Sequence, residues 1–124
     1  MIHVSVEEFE DLVASALDLI PEPFASKLDN VQVVVADEPS AEELAVVGLP
    51  PGATLYGLYQ GIPQTQRNAS YSWVLPDKIT IYRGPLVRAS RDADDVRRQV
   101  ATTVIHEIAH HFGISDDRLD ELGW

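Results

Sequence analysis

Cysteine is absent from the chain, which excludes both a disulfide framework and a thiolate metal site. Any transition metal held here must therefore be bound by imidazole and carboxylate. Positive charge is scarce as well: nine Lys and Arg face 20 Asp and Glu, for a formal charge of −11. Such a balance argues against nucleic acid as a partner and against attachment to anionic lipid by charge. Eighteen consecutive apolar residues occur nowhere, and the opening MIHVSVEEFEDLV lacks a basic n-region, an unbroken apolar run and a small-residue cleavage site. Neither a membrane span nor an export signal is expected, and the default compartment is the cytoplasm. Internal repeats and low-complexity tracts are missing too. The 45% apolar content of the 124 residues suffices for one core, and a single domain covering residues 1–124 is expected.

Local signals give an order of elements. Ser5-Val6-Glu7-Glu8 reads as a capping box, with the Ser5 hydroxyl accepting from the Glu8 amide and the Glu8 carboxylate reaching back. The helix that starts there places Val6, Phe9, Leu12, Val13, Ala16, Leu17 and Ile20 on a core face and leaves its acids to solvent, until Pro21 and Pro23 end the pattern. Val31 to Ala36 is a β-branched run of strand length followed by a turn cluster. Ala41 to Gly48 can form a short helix capped by Ser40. Thr54 to Tyr59 predicts a second strand, in which Gly57 marks either a bulge or a close approach of another backbone. The polar segment Gln60 to Pro76 carries Tyr71 and Trp73 and is expected to be a flap on the substrate side; its Asn68-Ala69-Ser70 sequon is taken as accidental in a chain without an export signal. Lys78 to Tyr82 predicts a third strand with Ile79 and Ile81 on one face, ended by Arg83-Gly84-Pro85. Leu86 to Arg91 then leads, through a Ser90 or Asp92 cap, into a long buried helix from about Asp92 to Phe112. Gly113 stops it, and Ser115 caps a last helix from Asp116 to Leu122.

The end of that long helix concentrates the chemistry. Thr102 to Asp116, TTVIHEIAHHFGISD, sets His106, Glu107, His110, Gly113 and Asp116 in the spacing HExxHxxGxxD. Histidines four apart on a helix lie on one face a turn apart, so both imidazoles can converge on one ion. A hydrolytic zinc takes three protein ligands and leaves a fourth position for water. A continued helix would carry residue 116 past the ion, whereas Gly113 has the permissive dihedrals for a turn that brings the Asp116 carboxylate back as third ligand. Glu107 is not needed as a ligand. It is the candidate general base, taking a proton from a water whose pKa zinc lowers to about 7 and returning it to a leaving amine. The pattern points to peptide-bond hydrolysis with one Zn2+ per chain and a peptide or protein as substrate.

HExxHxxGxxD resembles the Asp-type zincin metallopeptidases. The chain as a whole is similar to a bacterial family of mini-zincins, metallopeptidases with a matrix-metalloproteinase-like domain, through LYGLYQG at 55–61, LPDKITIYRGPL at 75–86 and the motif helix. Seven Arg against two Lys, with much Ala and Val, has the look of a high-GC bacterial chain. The resemblance implies an α+β, zincin-like fold: a small twisted mixed sheet of three to four strands packed on an N-terminal helix and a central active-site helix. It makes His106, His110 and Asp116 the zinc ligands and Glu107 the catalytic base, and it implies an edge strand, with Thr54 to Tyr59 the candidate, that pairs with extended substrate. One departure concerns the apolar Met-turn beneath the metal in metzincins. The only methionine here is Met1, and Leu122 and Trp124 are expected to fold back and supply that floor.

Plainer readings compete. A non-catalytic metal-binding or protein-interaction module on the same fold would use the edge strand to capture a partner or a second copy of itself, as a homodimer. His111 points off the ligand face and reads as a packed or surface histidine, and His3 as merely exposed. Asp117, Asp120 and Glu121 read as helix-surface acids, Asp117 being a minor candidate to support a ligand imidazole.

Overall fold

The computed structural model describes residues 2–61 and 77–124. The expected flap falls outside these residues apart from its first two, and Tyr71, Trp73 and the sequon at Asn68 fall outside with it. Helix α1 (Val6–Leu17) starts where the sequence predicts, the Ser5 hydroxyl accepting from the Glu8 amide at 3.1 Å, but the Glu8 carboxylate does not reach back to the Ser5 amide and the expected box is half formed. It buries Phe9, Val13 and Ala16, while Val6, placed on the core face by periodicity, is 43% exposed. The helix ends at Leu17, and Ile20 then drops into the core from the turn beyond it. A one-turn helix unforeseen in the sequence, α2 (Phe24–Lys27), follows directly and buries Phe24.

Three strands form one mixed sheet. β1 (Val31–Ala36) runs parallel to β3 (Asp77–Tyr82), and β2 (Gly57–Gln60) pairs antiparallel with the other side of β3, giving the order β1-β3-β2. Register sorts the side chains by face, because residues directly opposite share one. Val33, Val35, Ile79, Ile81, Gly57 and Tyr59 lie on the helix side, and Ile79 and Ile81 are fully buried there. Leu58, Thr80 and Tyr82 lie on the other. That second face is partly covered by α3 (Ala41–Val46), whose Ser40 cap forms a complete capping box with Glu43 and whose Glu43 accepts from the Tyr82 hydroxyl at 2.7 Å. The Ser40 amide and then this hydroxyl hold the Glu43 carboxyl below its usual range, while burial raises the Tyr82 phenol.

Two boundaries differ from the sequence reading. The second strand begins at Gly57 instead of Thr54 and runs on to Gln60, although the Tyr82 amide at the end of β3 still donates to the Tyr56 carbonyl at 3.0 Å. The stretch after β3 is a helix, α4 (Arg83–Arg88), where a turn and a lead-in were expected. Arg83-Gly84-Pro85 signals a turn in isolation, yet proline in a first helical turn gives up an amide that has no intrahelical partner anyway.

The long helix α5 (Ala93–His111) touches α1, α2, α4, β2 and β3 and is the axis of the fold. Asp92 caps it by accepting from the Asp95 amide at 2.8 Å. Its core face is Val96, Val100, Ala101, Val104, Ile105, Ile108 and Ala109. Thr103 and Phe112 do not belong to it: Thr103 turns toward β2, and Phe112 is 48% exposed beneath the Lys27 ammonium. Arg97 pairs with Asp94, and Arg98 and Arg91 both pair with Asp95. Of the two carboxylates, Asp95 is the one drawn into the surface. α6 (Asp116–Glu121) closes the chain with Leu119 buried against the core.

Gly57 marks a close approach and not a bulge. A Cβ there would sit 2.7 Å from Thr103 Cγ2 and 3.2 Å from the Thr80 carbonyl oxygen, so β2 lies directly against α5 with no room for a methyl. Gly57→Ala is expected to cost about 1–3 kcal/mol through overpacking and to push β2 away from the helix. Thr103→Ser removes the opposing methyl, so the double variant should recover part of the loss in a urea titration. Equal stability of Gly57→Ala and parent would show that the strand can yield at no cost.

Candidate metal centre

The periodicity of α5 places the first three functional side chains. His106 and His110 stand one turn apart, their ring centroids separated by 6.0 Å and their planes at 88°. The helix then stops at Gly113, whose φ of 75° lies in the left-handed region. The Gly113 amide returns to the His110 carbonyl at 3.3 Å and the Ile114 amide to that of Ala109 at 2.8 Å, the paired closure of a Schellman end. No atom of the described residues lies within 4 Å of a Cβ at residue 113, so among them glycine is required there for its backbone and not for space. The chain reverses, and Ser115 caps α6 by accepting from the Arg118 amide at 3.1 Å.

This reversal delivers Asp116, the first residue of α6. Its Oδ1 lies 3.3 Å from His110 Nε2, and one ligand atom from each of His106, His110 and Asp116 falls within 4.8 Å of the others. Tetrahedral bonds of about 2.0–2.2 Å set neighbouring ligand atoms roughly 3.3–3.5 Å apart, a separation the Asp116–His110 contact already has. Two imidazoles and a carboxylate form a donor set suited to zinc. The residues fit the ion. Access is open, with the His110 and Asp116 side chains 56% and 81% exposed.

Glu107, next along the helix, turns toward β2, and its Oε1 accepts from the Tyr59 amide at 2.9 Å. The strand register explains why that amide is available. The Tyr82 amide donates to the Tyr56 carbonyl, so by antiparallel alternation Tyr56, Leu58 and Gln60 bond toward β3, while Gly57 and Tyr59 turn their main-chain groups outward. Burial pushes the Glu107 carboxyl above the usual range; the Tyr59 amide, and less strongly His110 and His106, oppose that shift. A carboxyl raised by burial beside a cluster of ligands has the character of a proton-transfer group.

Tyr59 is itself clamped. Its ring stacks on His111 with centroids 4.0 Å apart, and its hydroxyl donates to Asp77 Oδ2 at 2.7 Å. His111, read from sequence as a packed or surface residue, is thus a stacking partner for the strand and lies off the ligand cluster. His3 and Asp117 are exposed. An open pocket of about 350 Å³ adjoins His106 and Glu107, lined by Leu55, Tyr56 and Gly57 on one side and Gln99, Thr102 and Thr103 on the other. Leu122 and Trp124 are half-buried and pack against the core. Trp124 therefore does not point to solvent, and its main-chain oxygen lies 2.9 Å from His106 Nε2.

Sequence reasoning missed two of these groups, the Tyr59 amide and the Trp124 oxygen. Both act through the main chain, where residue identity carries little signal. The strand alternation of Gly57 to Gln60 is the one sequence feature that could have singled out Tyr59.

Residues 28–124 match the model of the zincin-like metallopeptidase family. The chain belongs to that family. Membership gives it a metal-dependent, peptidase-like character and implies zinc as the metal. Among solved structures it is similar to a conserved hypothetical protein from T. thermophilus, at 27% identity and a TM-score of 0.55, over 88% of this chain and 94% of that one. Comparison with curated proteins gives no match. The α+β architecture that the family resemblance implies, a small mixed sheet on an N-terminal and a central helix, is the one observed.

Proposed function

We propose that this chain is a zinc-dependent peptidase in which His106, His110 and Asp116 hold one ion and Glu107 is the general base. The observation that carries this reading is the convergence of the three ligand atoms within 4.8 Å at the helix position next to a half-buried carboxylate oriented by the Tyr59 amide. Zinc bound there would polarise the scissile carbonyl and lower the pKa of a water beside it. Glu107 then serves twice, accepting the proton of the attacking water and returning it to the amine that leaves. The Tyr59 amide fixes the position of the carboxylate throughout.

The same edge of β2 is the proposed seat of the substrate. Gly57 turns its main-chain groups outward at this edge, and an extended peptide laid along it would gain main-chain hydrogen bonds without regard to its sequence. Selectivity would come from the pocket beside His106. Its described lining carries no formal charge apart from Glu107 and presents Leu55, Tyr56 and the threonine methyls, which suits an uncharged side chain. Nucleic acid and anionic membrane are not proposed as partners, given the charge of −11. No helix among the described residues is long and apolar enough to cross a membrane, and a cytoplasmic setting is the proposed one.

A mixed peptide library incubated with the zinc-loaded protein tests this reading. Cleavage is expected to stop on chelation and to return on addition of zinc, with products that share an uncharged residue next to the cut. Absence of any product, alongside tight self-association or capture of an intact peptide, would instead favour the non-catalytic use of the β2 edge.

A further inference from the structure

Resting on the metal centre proposed above, we propose that the main-chain oxygen of Trp124 is a fourth, internal ligand of the ion, so that the chain closes its own open coordination position. The oxygen lies 2.9 Å from Nε2 of His106. The corresponding nitrogen of His110 meets Asp116 Oδ1 at 3.3 Å, so each ligand histidine faces one oxygen through the same ring atom. Neighbouring ligand atoms of a tetrahedral centre stand roughly 3.3–3.5 Å apart; the Asp116 contact has that separation, and the Trp124 oxygen, at 2.9 Å, would move outward by about 0.4 Å to admit the ion. Two imidazole nitrogens and two oxygens then complete a four-donor set without water.

The position of this oxygen is built into the fold. α6 ends as α5 does: Gly123 has a φ of 88°, its amide donates to the Asp120 carbonyl at 3.0 Å, and the Trp124 amide donates to that of Leu119 at 2.8 Å. This is a second Schellman closure, and in such an end the residue beyond the glycine packs on the residue that accepts its amide. Leu119 is fully buried, and Trp124 packs against the same core. The six residues of α6 (Asp116–Glu121) therefore carry one oxygen at their start, on Asp116, and position the other just past their end, on Trp124. Asp116 belongs to the helix itself, whereas the Trp124 oxygen is joined to it through Gly123, and the two oxygens face His110 and His106 of α5.

Two consequences follow for the proposed peptidase. Water or a substrate carbonyl can enter the centre only by displacing the Trp124 oxygen. Resting activity is then set by the fraction of molecules in which residues 123–124 have swung away, and Glu107 stands ready beside a closed centre. A tail closed nine-tenths of the time weakens an external ligand about tenfold.

Cobalt makes this measurable without a substrate. The protein loaded with Co2+ is titrated with azide, and the visible absorption of the ion reports entry of the anion. Two variants open the position: a chain ending at Leu122, and Gly123→Val, which strains the left-handed turn without a clash among the described residues, none of which has an atom within 4 Å of a Cβ there. Both variants are expected to retain Co2+ and to bind azide at least about tenfold more tightly than the parent. If the shortened chain fails to fold, Gly123→Val alone decides. Equal azide affinity in parent and variants would overturn the proposal while leaving the metal centre in place, the Trp124 oxygen then being only a hydrogen-bond partner of the metal-free imidazole. Failure of the parent to take up Co2+ at all would bring down the metal centre and this inference together.

Discussion

Glu107→Gln is expected to lower peptide cleavage by about 10²–10⁴-fold, the usual contribution of a positioned general base, with zinc still bound. Glutamine keeps the side-chain oxygen that accepts from the Tyr59 amide at 2.9 Å, so β2 stays on α5 and only the proton-accepting capacity is lost. The sign of the accompanying stability change follows from the carboxyl's position. Burial raises the folded-state pKa of Glu107, so its ionisation opposes folding, and the fold loses stability as pH rises from the unfolded value of about 4.3 through the folded one. At neutral pH the Gln variant should therefore be no less stable than the parent, a case of lost activity with retained or improved folding. Cleavage rate, zinc content and urea midpoint measured on the same preparation check all three. A variant that cleaves as fast as the parent would remove Glu107 from the mechanism.

His106→Ala is expected to weaken zinc binding on the order of 10²–10³-fold, one ligand's share of an affinity built from three or four. Loss of cleavage should follow loss of metal. The prediction is specific to the two ligand histidines: His111 is exposed at the end of α5 and stacked on Tyr59, so His111→Ala should leave zinc affinity nearly unchanged while loosening β2. Acidification should mimic His106→Ala in the parent, because protons compete with the ion for the imidazoles. Calorimetric titration with zinc would separate these outcomes, and a His106→Ala variant with parental affinity would mean that the ion is held elsewhere.

The legible parts of this chain were those where the local rule and the tertiary requirement agree. The Ser5, Ser40, Asp92 and Ser115 caps, the Gly113 stop and the i, i+4 histidines each depend on residues within one turn, and all appear where their sequence signals lie. The sheet was legible as strands but not as an order: nothing in VQVVVA or KITIY says that they lie parallel with the later-paired β2 on the far side. α4 was hidden because Gly84 and Pro85 signal a turn when taken alone. The Trp124 fold-back was expected as an apolar floor, and its ring does lie against the core. That its main-chain oxygen would reach His106 depends on how α6 is aimed, which is a property of packing and not of residue type.

The X-ray absorption spectrum of the zinc-loaded protein distinguishes a metal centre of two imidazoles and one carboxylate from every other donor set. One zinc per chain is expected in a four-donor shell at about 2.0–2.1 Å, with scattering from two imidazole rings and the remainder oxygen. A shell containing three or more imidazoles, or six oxygens with none, would contradict it.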